Sequence, residues 1–534
     1  MATQLYYLKQ NVIAEPLINQ WYAWSYLISP APAAMLIANS HLKMMQSFVS
    51  APQVHVSALK NPAMRGGPFL NYGPEKVGAI KSLIDETITE QGLLLELVGA
   101  IQKFSELLLN EADGYSLEAL YQKVPELLKG YVELVYDLNN FPSIRFIEPL
   151  LYASPYYNES SQSLCLSLNE TDERPFALST PQINTNGHVH LRIPFSAPVL
   201  DEFFRMKDEP GAIEPIEEKL GVRASDQKLF ESFFSTEPPP RPARYTDSDV
   251  RIRYFGHACI LVESRDVSIL MDPVVSYQQA GGIDRYTYAD LPETIDYVLI
   301  THNHQDHCMF ETLLQLRHRI KQVIVPKNNG GSLADPSLKL VFQKIGFGSV
   351  REIDEMESIE VPGGAIIGLP FLGEHADLNI RTKMAYLIRL HNKSILCAAD
   401  SNNLEPALYK HIHRQLGDVD VVFLGMECDG GPLSWLYGPL LTKPLARKFD
   451  QSRRLCGSDC NRGMQIIDEL RPRQVYIYAM GLEPWLTYLT SIQYTDESRP
   501  IVESNKLVEA CRNRGITSER LFCQKEIFCR VGLE

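Results

Sequence analysis

The stretch Ile300-Thr301-His302-Asn303-His304-Gln305-Asp306-His307 decides how the C-terminal half of this chain folds. Residues 297–300 read as a short buried strand, and H-x-H-x-D-H follows directly, on the loop at the strand's C-terminal end. A tight loop there aims alternate side chains at two different points in space. Imidazole and carboxylate groups suit zinc, iron or manganese. Four of them within six residues exceed what a polar loop collects by composition, so His302, His304, Asp306 and His307 are candidate metal ligands. The plain alternative is a polar loop with satisfied histidines.

A pair of metals needs further ligands, including a carboxylate able to bridge them. Two downstream segments offer these. Residues 371–378, FLGEHADL, place Glu374 beside His375. Residues 395–401, ILCAADS, leave Asp400 alone at the end of an apolar strand. Asp400 could instead cap a helix, since Asn402 and Asn403 suit a turn. Its place after a buried strand favours the bridging role.

Strands are expected around this loop at 251–262, 267–271, 322–326, 358–361, 365–368, 385–390, 394–398, 419–424 and 474–478, and helices at 310–318, 406–416, 462–470 and 505–514. Upstream, 235–249 (STEPPPRPARYTDSD) holds four prolines and reads as a semi-extended linker. The expected division is therefore an N-terminal domain over 1–235, a linker over 236–249 and the metal domain over 250–534. The first half looks mixed, α+β. Helical spacing is seen at 75–110 and 117–139, strands at 162–168 and 188–195, and short helices at 198–206 and 225–234. Arg65-Gly66-Gly67-Pro68 lacks the Lys-Ser/Thr of a phosphate loop and reads as a plain turn.

A chain of 534 residues exceeds one ordinary core. Its 45% hydrophobic and 22% charged residues are those of a globular protein. The net charge of -14 argues against nucleic acid and anionic membrane as general partners. Ten scattered cysteines with no C-x-x-C pair read as reduced thiols in a cytoplasmic protein. The N-terminus has no basic segment before a clean apolar run, so no signal peptide is expected, and the apolar stretch 21–39 is broken by two prolines and reads as buried helix and turn.

H-x-H-x-D-H after a strand, with Gly256-His257-Ala258 and Asp272-Pro273 upstream, resembles the metallo-β-lactamase superfamily over 249–534. The resemblance implies an αββα sandwich with the metals at one edge of its two sheets. Asp272 would hold the histidine loop or cap its strand. His257 would be structural, on a strand away from the metal loop. Two departures matter. Glu374 stands beside His375 where hydrolytic members present a lone third histidine. No histidine follows His413, and the strand end that would supply the last ligand reads Tyr478-Ala479-Met480-Gly481. Hard oxygen donors favour ferric iron, and carboxylate-bridged di-iron sites use the same ligand types.

That ligand set, the long N-terminal half and the Gly-Glu-His-Ala-Asp-Leu loop closely resemble the di-iron aminoacyl β-hydroxylases of nonribosomal peptide synthesis, the family that serves chloramphenicol biosynthesis. The resemblance implies that Glu374, not His375, binds iron. His302, His304, Glu374 and Asp400 would serve one metal, and Asp306, His307 and the same Asp400 the other, with Glu374 and Asp400 the catalytically decisive carboxylates. It also implies two iron ions, O2 as co-substrate, an external electron donor, an aminoacyl-loaded carrier domain of a synthetase as partner, and a homodimer formed through the N-terminal domain.

The first alternative is a dinuclear zinc hydrolase acting on an ester, lactone or phosphodiester, with His375 on the metal. A second is a non-catalytic scaffold that keeps the metal domain for stability. Glu427, Cys428 and Asp429 could line the mouth of the site or merely cap a strand. Trp435, Tyr437, Trp485 and Tyr488 could wall a substrate pocket or simply pack. Arg241, Arg244, Arg251 and Arg253 are weak candidates for a basic carrier-docking patch, against a plain solvated face.

Overall fold

The computed structural model describes residues 4–279 and 282–530. Its C-terminal half is two seven-stranded sheets packed face to face. The first runs in the order Val350–Ile353, Ile320–Pro326, Ile295–Leu299, Ser268–Met271, Cys259–Glu263, Val250–Gly256 and Lys525–Cys529. The second runs Ser358–Val361, Gly364–Leu369, Ala385–Leu390, Lys393–Cys397, Val421–Gly425, Gln474–Tyr478 and Thr517–Arg520. Alternating apolar residues of the two inner faces close on each other: Ile252, Ile260, Ile269 and Ile324 from one, Ile366, Ile388, Ile395 and Phe423 from the other. Helices Ala407–Leu416, Cys460–Leu470 and Arg499–Asn513 cover the outer face of the second sheet with Tyr409, Ile412, Ile466, Ile467, Leu507 and Cys511. The outer face of the first sheet is covered by Phe310–Leu316, Leu338–Lys344 and the N-terminal half. This is the αββα sandwich that the histidine loop implied.

The N-terminal half builds a four-stranded antiparallel sheet in the order Trp21–Tyr22, Val12–Ile18, Gln162–Leu168 and Val189–Arg192, together with the helices Val77–Glu90 and Gly92–Glu111. Part of its core is its own, with Leu8, Leu164, Phe203 and Phe230 in one cluster, and part is shared with the C-terminal half. Trp21, Tyr26, Met35 and Phe104 join Phe255, Leu270, Val298 and Phe310 in one apolar cluster. No helix among the described residues is long and apolar enough to cross a membrane.

One expected helix is absent. Residues 117–139 form the 3-10 turns Leu117–Lys123 and Glu126–Leu128, then a strand Val132–Tyr136 paired with Pro142–Phe146. Pro125 and Gly130 break the helix, and the apolar spacing becomes a strand alternation, with Val132 and Leu134 buried around exposed Glu133. The strands Val12–Ile18 and Lys525–Cys529 had no expectation attached to them. Each is specified by its pairing partners, Gln162–Leu168 and Val250–Gly256, which lie far off in sequence.

The parallel pairings set up the site. Met271 pairs with Leu299, Cys397 with Phe423, and Gly425 with Tyr478. The segments that leave these strands therefore emerge together at one edge: Asp272, Thr301–His307, Asp400, Glu427 and Ala479–Gly481. Tyr386 Oη donates to Ile300 O at 2.9 Å and Met384 N to Thr301 O at 2.7 Å, joining the two sheets beside the histidine loop.

Candidate metal centre

Non-glycine residues rarely take positive φ, and such strain concentrates at functional sites. Here five of them ring one edge of the sandwich: His257 (49°), Asp272 (36°), Glu374 (65°), Ala399 (45°) and Ala479 (52°). The strain aims side chains inward. Gly256, at φ 106°, is required for a second reason: a Cβ there would lie 2.8 Å from the Trp485 ring.

Three histidines of the loop turn their nitrogens to the centre in defined orientations. Asp272 accepts from Thr301 N at 2.7 Å, from Thr301 Oγ1 at 2.5 Å and from His307 Nδ1 at 2.8 Å. The Thr301 hydroxyl, its own proton given to Asp272, accepts from His302 Nδ1 at 3.0 Å. Nε2 of His302 and Nε2 of His307 are thereby left as lone-pair donors facing inward. His304 is held from the other end: Nε2 is 2.8 Å from Tyr437 Oη, and Nδ1 points inward.

The carboxylates close the site. Glu374 Oε1 is 3.2 Å from His304 Nδ1, Asp400 Oδ2 is 3.1 Å from His307 Nε2 and 3.7 Å from His302 Nε2, and Asp306 Oδ2 is 3.2 Å from His257 Nε2. Donor atoms converge in three overlapping triplets: His302, His304 and Glu374; His302, His307 and Asp400; and His257, Asp306 and His307. His375 is in none of them. Its Nδ1 contacts Glu374 and lies 3.5 Å from Tyr437 Oη. Ala399 N donates to Tyr478 Oη at 2.9 Å, so the strand end that lacks a histidine braces the turn before Asp400 instead.

Electrostatics agree with a cation-binding role. Glu374 is buried, which would raise its carboxyl, yet His304 and His375 hold it down to about 2. Burial also opposes ionisation of Asp306, and His257 and His307 reverse it, leaving that carboxyl well below its usual range. Burial, with His307 and His304 beside it, pushes His302 far down, so its imidazole stays neutral. His307 Nε2 and Asp400 Oδ1 are buried without a hydrogen-bond partner, and Glu374 Oε2 has only the His375 ring beside it. Burying such groups unsatisfied is costly. Two cations among them would satisfy all three, so the donor set fits a dinuclear metal group.

A cavity of about 450 Å³ opens on this centre, with His304, Asp306, Glu374, Asp400 and Glu427 in its wall. Glu427 accepts from Tyr494 Oη at 3.2 Å, and burial together with Asp400 and Asp306 lifts its carboxyl well above the usual range.

The sequence foresaw His302, His304, Asp306, His307, Glu374 and Asp400 as candidates, and all six meet here. It misplaced His257, expected away from the metal loop. The strained Gly256-His257 turn and a register shift between Cys259 and Ile260 swing its ring against Asp306. It missed the hydroxyl roles of Tyr437 and Tyr478, which no motif signals. Arg65–Pro68 is the turn that the sequence suggested, and Arg65 and Gly66 also line the metal cavity. Trp485 and Tyr488 pack away from the centre, under Arg285 and Arg174. The arginines near the linker are largely engaged: Arg251 and Arg253 both pair with Glu263 at 3.0 Å.

Comparison with known proteins gives a consistent picture. The family described as diiron non-heme beta-hydroxylase N-terminal domain matches residues 7–238, and a beta-lactamase superfamily domain matches 251–433. The chain is 41% identical over 531 residues to a Streptomyces venezuelae protein, covering 98% of this chain and 99% of that one. That relative is the 4-amino-L-phenylalanyl-[CmlP-peptidyl-carrier-protein] 3-hydroxylase. The crystal structure of CmlA, a diiron beta-hydroxylase from Streptomyces venezuelae, superposes with a TM-score of 0.92 at 40% identity, over 98% of this chain and 100% of that one. A metal-dependent hydrolase of Flavobacterium johnsoniae is 28% identical over 166 residues, which is 26% of this chain and 66% of the hydrolase. Matched along nearly its whole length, the chain belongs to the diiron non-heme β-hydroxylase family.

Proposed function

We propose that this protein is a di-iron, O2-dependent monooxygenase that β-hydroxylates an amino acid held as a thioester on the carrier domain of a nonribosomal peptide synthetase, in antibiotic biosynthesis. The observation that carries this reading is the carboxylate-rich donor set. Glu374 faces His304 where a hydrolytic site has a histidine, in a chain that matches a carrier-dependent 3-hydroxylase from end to end. His302, His304, Glu374 and Asp400 would hold one iron, and Asp306, His307 and Asp400 the other, with Asp400 bridging. Glu374 and Asp400 are the carboxylates on which catalysis depends.

Two bound irons supply O2 activation, and the balance is one C–H bond, O2, two electrons and two protons converted to one C–O–H and one water. The chain's own residues do the rest. Asp272 and Thr301 fix the tautomers of His307 and His302, Tyr437 orients His304, and the buried cavity excludes water from the reacting carbon. No flavin or nicotinamide motif is evident in the sequence, so the electrons come from an external donor. Residues 1–235 would serve dimerisation and partner docking, 236–249 the link, and 250–534 catalysis, in a cytoplasmic homodimer.

The zinc hydrolase reading requires His375 on the metal, and His375 instead backs Glu374. The test is metal content of the purified protein with Mössbauer spectra of an iron-57 preparation, followed by aminoacyl-carrier substrates under O2. A coupled pair of irons and a β-hydroxylated product are expected. Two zincs that persist in an iron-rich preparation and support ester or phosphodiester turnover would overturn the reading.

A further inference from the structure

The metal cavity does not end at its own wall. A second, open groove of about 950 Å³ shares Gly66, Leu178, Pro432 and Trp435 with it. Trp435 stands between the two. Its indole N–H donates to Gly66 O at 2.9 Å, and its ring stacks near Phe176 at 6.4 Å, so one residue of the C-terminal half and two of the N-terminal half form the passage.

The cavity floor is lined with Asp306, Glu374, Asp400 and Glu427. The groove carries Lys43, Lys443 and Arg447. All three are exposed, and none is ion-paired among the described residues; Lys43 reaches only Asn39 Oδ1 at 3.3 Å. The acid lining the groove, Asp450, is already engaged by Ser434 N and Oγ at 2.7 Å each. Segment 442–450, TKPLARKFD, thus presents a cationic ridge on a chain of net charge -14, with the Phe449 ring 59% exposed beside it. Helix Pro30–Leu36 runs into a π-turn, Ile37–His41, whose Asn39 and Ser40 line the opposite side; such turns are common at binding sites.

We infer that this groove is the entry path of the carrier's phosphopantetheine arm, with Lys43, Lys443 and Arg447 holding its phosphodiester and the Phe449 ridge meeting an acidic carrier domain. A cationic mouth matches a ligand that is anionic at its phosphate. The arm would pass Phe176 and Trp435 and deliver the amino acid to the metal cavity.

This assignment rests on the function proposed above, and its test is separable from it. Phosphopantetheine and pantetheine are titrated calorimetrically into the iron-loaded protein and into a Lys443→Glu/Arg447→Glu variant, whose thermal stability is checked in parallel. The phosphorylated compound should bind the unaltered protein about tenfold more tightly than pantetheine, as expected of two or three exposed charge contacts. The preference should shrink with added salt and vanish in the variant, while pantetheine binding stays the same. Equal affinities in the unaltered protein, no binding of phosphopantetheine, or a preference that survives charge reversal overturns the assignment. A variant that still hydroxylates a carrier-bound amino acid with unchanged KM also sinks the groove and leaves the function standing. Zinc occupancy with phosphate-dependent binding intact does the reverse.

Discussion

His257 Nε2 stands 3.2 Å from Asp306 Oδ2, while its Nδ1 accepts from the backbone N–H of Gly481 at 3.1 Å. An imidazole that accepts at Nδ1 carries its neutral-state proton on Nε2. His257 therefore presents an N–H to Asp306, not a lone pair to a metal. Ala479 N also donates to His257 O at 2.9 Å, so the segment that lacks the superfamily's last histidine is recruited to hold this one. His257→Ala should weaken metal binding at the Asp306 position about tenfold to a hundredfold, the usual cost of losing such a supporting contact. Equilibrium dialysis of the iron protein reads this. Two ions held at unaltered affinity in the variant would show that Asp306 orients without help.

Tyr437 supports the other end of the site. Its hydroxyl lies 2.8 Å from His304 Nε2 in a buried setting, and its ring packs edge-on to Tyr26. Tyr437→Phe keeps the ring and removes the oxygen. His304 Nε2 then loses the partner that orients its ring, a support whose loss weakens metal affinity by about tenfold to a hundredfold. The expected result is faster iron loss to a competing chelator with unchanged thermal stability of the metal-free protein. A fall in that stability with normal iron retention would make Tyr437 a packing residue only.

How much of this was legible follows from how local each signal is. His302 through His307 are one loop after one apolar strand, so their spacing alone announces ligands. Asp400 was readable because an apolar strand precedes it, and Glu374 because its Gly-Glu-His-Ala-Asp-Leu loop resembles that of the β-hydroxylases. His257 and Tyr437 were not. Each is held by a contact more than a hundred residues away, His257 with Gly481 at a separation of 224 and Tyr437 with His304 at 133, and nothing in their immediate sequence marks it. The false helix at 117–139 is the same problem reversed: apolar spacing fits two periods, and Pro125, Gly130 and the pairing of Val132 with Phe146 settle it.

Glu311 joins the two halves of the molecule. Fully buried on the helix Phe310–Leu316, it accepts from Arg174 Nη2 at 2.8 Å, Tyr22 Oη at 2.9 Å, Tyr277 Oη at 2.7 Å and Tyr488 Oη at 3.2 Å. Arg174 in turn binds Glu15 and lies 3.7 Å over the Tyr488 ring. Arg174→Met leaves Glu311 charged and unpaired in the interior, which should cost about 3–5 kcal/mol in urea unfolding. Arg174→Met combined with Glu311→Gln should lose less than the sum of the single changes, because Glu311 then carries no charge to be stranded. Additive losses would mean that the two act independently.

Lys207 should make stability depend on pH in an unusual direction. It is 2% exposed, its Nζ reaches Val12 O at 3.4 Å, and it lies 4.5 Å over the Tyr288 ring. Burial pulls its amine down to about 7, against about 10.4 in an unfolded chain. Below the lower value the amine is charged in both states, and its burial opposes folding. Between the two values the unfolded chain holds a proton that the native protein lacks, so stability rises with pH by up to about 1.4 kcal/mol per unit. The aromatic rings favour the charged form and flatten this slope. Lys207→Met removes the titration. The stability of the unaltered protein relative to this variant should therefore increase from neutral pH toward 10, the upper part of that window. A difference that stays level across the window would mean that Lys207 remains charged in the fold, held by Tyr277, Tyr288 and the Val12 carbonyl.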